Sequence, residues 1–393
     1  MAKLVDAPDS KSGVAHPTYR FESGLRQIPQ KFFLSFWGVF KKEKYLYKDM
    51  ENQFKYITPP SLSIILPCYN VDKYIEKALC SLINQTIKNI EIICINDGSS
   101  DKTLNIINEY ALKDDRIKVY SQKNQGQGIA RNKGICHATA PYIAFMDPDD
   151  WVEPDMYENL YKLASNNDVD FVECGFNKYY ESTDELKPVL FSPSPAENKV
   201  FNYTNDKNYV FKQTAIPVWN KLFKKSFIID NNIYFSEKKL YEDQIFTLKA
   251  KVLAKKIIYT PNRLYNYNIH PESALTIQKK ENIHFDDIIN EITDFFKSIN
   301  LYNEFKEDIN ATIINIVREH YTLCPDTFKK EFLKHAKNVL SEDLYKVFKK
   351  NRKIENKNRL IENIFSLKNE NKFGVKYKRI TFLGLKIEFK IRR

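Results

Sequence analysis

Tyr142-Ile-Ala-Phe-Met-Asp-Pro-Asp-Asp-Trp151 is a short apolar run cut off by three carboxylates within four residues. Asp147, Asp149 and Asp150 crowd a turn that Pro148 stiffens by fixing φ. At ~5 Å and an effective dielectric of ~20, each pair of like charges costs on the order of 3 kcal/mol. A divalent cation reverses the sign of that term, and Mg2+ or Mn2+ prefers hard oxygen ligands. The stretch reads as a buried strand that delivers an acidic metal site to its own C-terminal end. The competing reading is a solvated acidic loop, with Asp149 or Asp150 capping the helix that Pro154 opens. The surrounding chain decides between them.

Upstream, Leu62 to Leu66 and Ile90 to Ile95 are apolar runs interrupted only by Ser63 and Glu91. Both suit strands covered on two faces. Ile117 to Tyr120 is a third strand. Between them lie helical patterns: Ile75, Leu79, Leu82, Ile83 and Thr86; then Leu104, Ile107 and Ala111; then Ile129, Lys133 and Ile135 after Gly128. Strands alternating with helices predict an α/β fold with a mostly parallel, doubly wound sheet. Ligands of such sheets bind beyond the C-terminal strand ends. Tyr69-Asn70, Asp97, Gly126 and Asp147 all fall there, which favours the metal-site reading.

Downstream the alternation loosens. A helix runs from Pro154 to Leu163, Val169 to Phe176 is a strand, and residues 180 to 209 are polar with several prolines. Pro217-Val-Trp-Asn-Lys-Leu-Phe223 precedes a short helix to Asp230. Tyr241-Glu-Asp-Gln-Ile-Phe246 opens another, to about Ala254. Ile257 to Tyr259 and Leu264 to Tyr267 read as two strands. From Asn282 to Glu370 the pattern is helical, rich in Lys, Asn and Glu.

The chain ends differ from this middle. Residues 1–30 are polar and aperiodic and are read as unstructured; they resemble the translation of a transfer-RNA gene, which points to a start downstream. In residues 31–60, Phe32, Phe36 and Phe40 recur every four residues, an amphipathic helical pattern. Residues 371–393 interleave apolar and cationic residues, and that basic tail fits an anionic membrane surface or an edge hairpin on the protein itself. The 393 residues carry a formal charge of +11, and 43% hydrophobic content excludes a disordered chain. Aromatic–basic interleaving is confined to the ends, so nucleic acid is not the expected partner. No apolar run reaches the ~18 residues of a membrane span, and no leader-like h-region is present. Six cysteines without a CxxC pair suit reduced thiols in the cytoplasm.

Several residues could do chemistry. Pro67, Tyr69 and Asn70 end the first strand and Asp97-Gly98 the second, where a base and ribose could sit. Asp97 could accept from a base N–H or a ribose hydroxyl, or merely open an Asp-Gly turn. Arg131 could meet a phosphate or pair with a nearby acid. Glu242-Asp243 could cap a helix or supply a general base in Asp243. Trp219 and Tyr241 could stack on a sugar or belong to the core. The histidines show no i,i+4 or HExxH pattern, so no zinc site is expected. There is also no GxSxG, GxxxxGK[ST] or GxGxxG motif.

The ordered set Ser63-Ile-Ile-Leu-Pro-Cys-Tyr-Asn70, Ser81-Leu-Ile-Asn-Gln-Thr86, Ile95-Asn-Asp-Gly-Ser-Ser-Asp101, Gly128-Ile-Ala-Arg-Asn-Lys-Gly134, Phe145-Met-Asp-Pro-Asp-Asp150, Trp219-Asn-Lys-Leu222 and Glu242-Asp243 resembles the family 2 glycosyltransferases with the GT-A fold. The resemblance runs from about Leu62 to about Thr276. It implies a GT-A domain over 61–276, with a nucleotide-binding half (61–150) and an acceptor half (151–276). A helical domain (277–370) and the basic tail (371–393) would follow. It further implies a nucleotide-sugar donor, Mn2+ or Mg2+, inversion at the anomeric carbon, and a glycan or lipid-linked acceptor in surface-polysaccharide synthesis at the inner face of the cytoplasmic membrane. By motif, Asp97 holds uridine and Asp147 and Asp149 form the DxD pair with Asp150 in support. Asp243 is the base, Glu242, Trp219 and Asn220 support it, and Pro67, Tyr69, Asn70 and Arg131 line the donor site. Asn96 departs from the commoner Asp. Without a QxxRW motif, single addition is expected over polymerisation. A catalytically inactive scaffold and a sugar nucleotidyltransferase are the alternatives; filled acidic positions speak against the first, and Trp219 with Glu242-Asp243 against the second.

Overall fold

The structure, a computed structural model, describes residues 59–191, 196–213, 216–237, 241–271 and 285–352, and the strand backbone at 365–372, 375–382 and 385–390. The readings of residues 1–30 and of nearly all of 31–60 lie outside the described residues. Strands β1 (Leu62–Cys68), β2 (Ile90–Asn96), β3 (Ile117–Ser121) and β4 (Tyr142–Phe145) alternate with helices α1 (Ile75–Ile83), α2 (Thr103–Ala111) and α3 (Gln127–His137). They pair in parallel in the order β3-β2-β1-β4. Every residue of β1, β2 and β4 is buried. Ile64 and Leu66 enter one core and Ile65 the other, as period-2 alternation requires. Glu91 is tolerated in β2 because its carboxylate accepts from Ser63 Oγ (2.6 Å), Thr139 N (2.6 Å) and Thr139 Oγ1 (2.8 Å).

Past β4 the sheet becomes mixed. Trp151–Val152 (β5), Phe171–Tyr180 (β6), Glu185–Pro188 (β7), Val200–Phe201 (β8), Lys221–Lys224 (β9) and Ile257–Ile269 (β10) complete a ten-stranded sheet. β9 lies antiparallel between β4 and β6, and β10 runs parallel to β6. The two short strands expected at 257–259 and 264–267 are one long strand. Pro261, which has no N–H to give the ladder, sits in a bulge between Thr260 and Tyr265. Gly175 opposite leaves room for it, since a Cβ there would lie 2.8 Å from Pro261 O.

Four further helices precede the C-terminal region: α4 (Met156–Asn167), α5 (Asn208–Phe211), α6 (Lys225–Asp230) and α7 (Glu242–Leu253). α7 is buried nearly all round, as a helix between two cores must be. Phe246 and Ala250 join the sheet core that holds Ile65; Ile245, Leu248 and Val252 join a third core. The latter is built with α8 (Asp286–Ser298), α9 (Lys306–Leu323) and α10 (Lys329–Val339). The helical pattern expected to run to Glu370 gives way to strand at 365. Phe365–Lys372 (β11), Val375–Phe382 (β12) and Leu385–Lys390 (β13) form a separate antiparallel sheet, so the tail boundary expected at 371 falls inside a strand.

Candidate functional site

The acidic turn after β4 is held by the end of β10 and His270 just past it. Asp150 is 1% exposed; its Oδ1 accepts from Asn268 N (2.7 Å) and its Oδ2 from the Tyr265 hydroxyl (2.5 Å). The same hydroxyl accepts from Asp147 N at 3.2 Å, and Asn268 Nδ2 donates to Asp149 O at 3.1 Å. Asp149 Oδ2 lies 2.9 Å from His270 Nε2. Burial, then the charges of Asp149 and Asp147, push the Asp150 carboxyl well above the usual range. Neither Asp149 nor Asp150 caps a helix. α4 begins later, with Asp155 at its N-cap position and no side-chain cap bond.

Asp147 faces the other way. Its Oδ1 accepts from Arg131 Nη2 at 2.7 Å, and Arg131 Nη1 donates to Glu242 Oε1 at 2.7 Å. Arg131 is 2% exposed, so its guanidinium is spent on these two acids rather than on solvent. Burial opposes its charge, but Asp147, Glu242 and Asp243 outweigh that and raise its pKa. Asp243 is half-buried on the first turn of α7. Burial raises its carboxyl pKa, and Arg131 offsets part of the rise. Burial likewise pushes Glu242 up to about 7, against the pull of Arg131.

The strand ends at Asn70 and Asp97 build the floor. Asp97 is 2% exposed and its carboxylate accepts from Gln122 Nε2 (2.8 Å), Gln125 N (2.9 Å) and Gly126 N (2.8 Å). It thus fixes the loop before α3; the sequence left it facing a base. Gly98 has φ +75°, and a Cβ there would lie 2.9 Å from Asn124 N. Asn96 Oδ1 accepts from Ser99 N at 3.1 Å, which the commoner Asp could also do. Asn70, at φ 49°, accepts from Ser100 N at 2.8 Å. Pro67 is buried within β1 and Tyr69 beside it is 48% exposed, a ring open to a planar ligand.

Of the two readings left open for Trp219, the structure gives the core one. Trp219 does not offer a face to a sugar: it is 4% exposed and stacked on Tyr265 (4.2 Å) and Tyr267 (5.7 Å). It thereby backs the tyrosine that holds Asp150. Asn220 is fully buried, donating to Cys174 O (2.6 Å) and accepting from Lys221 Nζ (2.8 Å). Tyr241 has a left-handed backbone (φ 60°), and its hydroxyl donates to Glu319 Oε2 at 2.8 Å. The residues that sequence reasoning missed are Tyr265, Asn268 and His270. Alternating Asn266, Asn268 and His270 at a strand end was the available signal.

Among the described residues, no three His, Cys, Asp or Glu side chains converge on one metal position. The Asp149 carboxylate and the His270 ring nitrogen do converge as a pair. An oxygen and an imidazole donor suit Mn2+, with the remaining positions left to a ligand's own oxygens.

The family model for glycosyl transferase family 2 matches residues 63–230. EpsH of Bacillus subtilis (strain 168), named as a glycosyltransferase, is 33% identical over 302 residues, covering 70% of this chain and 86% of that one. EpsJ of the same organism is 32% identical over 301 residues, covering 72% and 85%. Among solved structures, S. aureus TarS 1–349 in complex with UDP-GlcNAc aligns with a TM-score of 0.53 at 19% identity, over 84% of this chain and 99% of that one.

Proposed function

This chain belongs to glycosyl transferase family 2 and is a glycosyltransferase, and from that premise we propose that it moves a hexose or N-acetylhexosamine from a UDP-sugar to a hydroxyl of a glycan or lipid-linked acceptor, with inversion, in surface-polysaccharide synthesis. One observation carries the reading. A single guanidinium touches both Asp147 and Glu242, so the acidic turn and the start of α7 flank one cleft. A donor seated over that bridge would meet the acidic turn on one side and Asp243 on the other. The UDP-GlcNAc in the TarS complex supports the choice of UDP.

In this mechanism Tyr69, Asn70 and the Asp97 loop seat the nucleoside, and Asp147 and Asp149 face the diphosphate. Asp149 and His270 would hold Mn2+ or Mg2+, which when bound supplies countercharge to the diphosphate leaving group. Asp243 takes the proton from the acceptor hydroxyl as that oxygen attacks C1 and the C1–O bond to the diphosphate breaks. The transition state is oxocarbenium-like, as in inverting hydrolysis, with a sugar hydroxyl in place of water.

The sheet over 365–390 carries Lys368, Lys372, Lys376, Lys378, Arg379, Lys386 and Lys390 against Glu370 and Glu388. Cations interleaved with apolar residues suit the anionic inner leaflet of the cytoplasmic membrane, where a lipid-linked acceptor would lie.

Incubation with a panel of UDP-sugars and Mn2+, read as UDP release, tests the function. Release with one or a few of them is expected. No release with any, from protein that binds UDP, would favour an inactive scaffold.

A further inference from the structure

Three residues on one face of α3 grip Phe235 and Ser236 on one side and Glu242 on the other. Gly128 comes first: a Cβ there would lie 2.6 Å from Ser236 O and 2.9 Å from Glu242 Cγ, so only glycine lets the two segments approach this closely. Asn132, four residues on, clasps the peptide of Phe235 from both sides. Its Nδ2 donates to Phe235 O (2.9 Å) and its Oδ1 accepts from Phe235 N (2.9 Å). Between them Arg131 reaches Glu242 at 2.7 Å, with the Phe235 ring 5.2 Å from its guanidinium carbon. That ring stacks at 4.2 Å on Phe246 of α7 itself. Positions i, i+3 and i+4 share a helix face, so the three contacts act together.

We propose that Arg131 and Glu242 are a positioning pair. The planar guanidinium fixes the first turn of α7, and with it Asp243, relative to Asp147 on the donor side. Neither residue need touch donor or acceptor. Glu242 is 1% exposed and Arg131 2%, which suits a strut rather than a binding group. Two buried charge-assisted bonds in a fixed fork define a direction as well as a distance. The pair sets the spacing between the acid turn and Asp243, and a base displaced by even ~1 Å loses on the order of 100-fold in rate. The inference rests on the reading of Asp243 as the base.

The test compares Glu242→Gln, Arg131→Lys, their double variant and Asp243→Asn in the full chain. UDP affinity is measured by calorimetry with Mn2+, and turnover with whichever UDP-sugar releases most UDP in the panel. Backbone amide exchange over residues 241–246 reports the first turn of α7. We expect Glu242→Gln and Arg131→Lys to keep UDP affinity within about 3-fold, to speed exchange in that turn, and to lower kcat about 10- to 100-fold. Because the two act as one unit, the double variant should be no worse than the poorer single variant. Wild-type kcat and exchange in Glu242→Gln, beside an Asp243→Asn enzyme that is inactive, would overturn the pair and leave the base standing. Full turnover by Asp243→Asn would remove the base reading itself. A collapse of UDP affinity with unchanged kcat would make Arg131 a donor ligand instead. Arg131→Lys keeps the charge but loses the fork, so it still reports if Glu242→Gln folds poorly.

Discussion

At the scale of single residues, Asp243→Asn should leave UDP binding near normal and cut turnover by about 100-fold or more. UDP-release kinetics set beside calorimetry measure both. Replacing Asp147 and Asp149 together should abolish Mn2+-dependent UDP binding in the same calorimeter. Two pH effects follow from burial. As the proposed base, Asp243 would work deprotonated, and its pKa is raised, so kcat/KM should fall with acid at a pH above the ordinary aspartate range. Glu242, pushed from 4.5 up to about 7, holds its proton more tightly folded than unfolded. Stability should therefore decline as pH rises through that window, and thermal melts of Glu242→Gln should show a shallower slope. The acids themselves were legible in the sequence, because carboxylates crowded beside a proline or a helix start demand an explanation. Their partners were not. Arg131 meets Glu242 across 111 positions and Asp149 meets His270 across 121, separations that no local pattern encodes.

Among elements, α3 and α7 decide the site. Gly134 of α3 sits directly against the Ile65 side chain of β1. Gly134→Ala should cost about 1–3 kcal/mol through overpacking, seen as a lower thermal midpoint with unchanged UDP affinity. Gly128→Ala should lower both the midpoint and turnover, since its Cβ would push on Glu242. The parallel strands were readable because burial on both faces leaves continuous apolar runs. β10 was split in the reading because Pro261-Asn-Arg263 resembles a turn; its bulge is accommodated by Gly175, on a strand far away in sequence. The shift from helix to strand at Phe365 was hidden because Lys, Asn and Glu supply no period of either kind. Trp219 could be read as a sugar platform or as core, because sequence gives the ring but not what covers it.

On the scale of the whole molecule, the helical region is more than an appendage. Its core takes in Ile245, Leu248 and Val252 of α7, and its Glu319 holds the Tyr241 hydroxyl one residue before Glu242. Removing residues 365–393 should leave UDP release in solution intact. It should also reduce sedimentation with anionic vesicles, and equal sedimentation would show that the tail is not the anchor. The long reach from Asp150 to Asn268 has a further consequence, in time. Those residues are 118 positions apart. At ~5–20 residues per second, the ribosome needs on the order of ten seconds to make the second after the first. Through that interval the acid turn exists without the backbone N–H and hydroxyl that later hold Asp150. The nascent β1–β4 half is then a sheet with an unfinished rim, and its acid turn is fixed only once the strand that closes it has been synthesised.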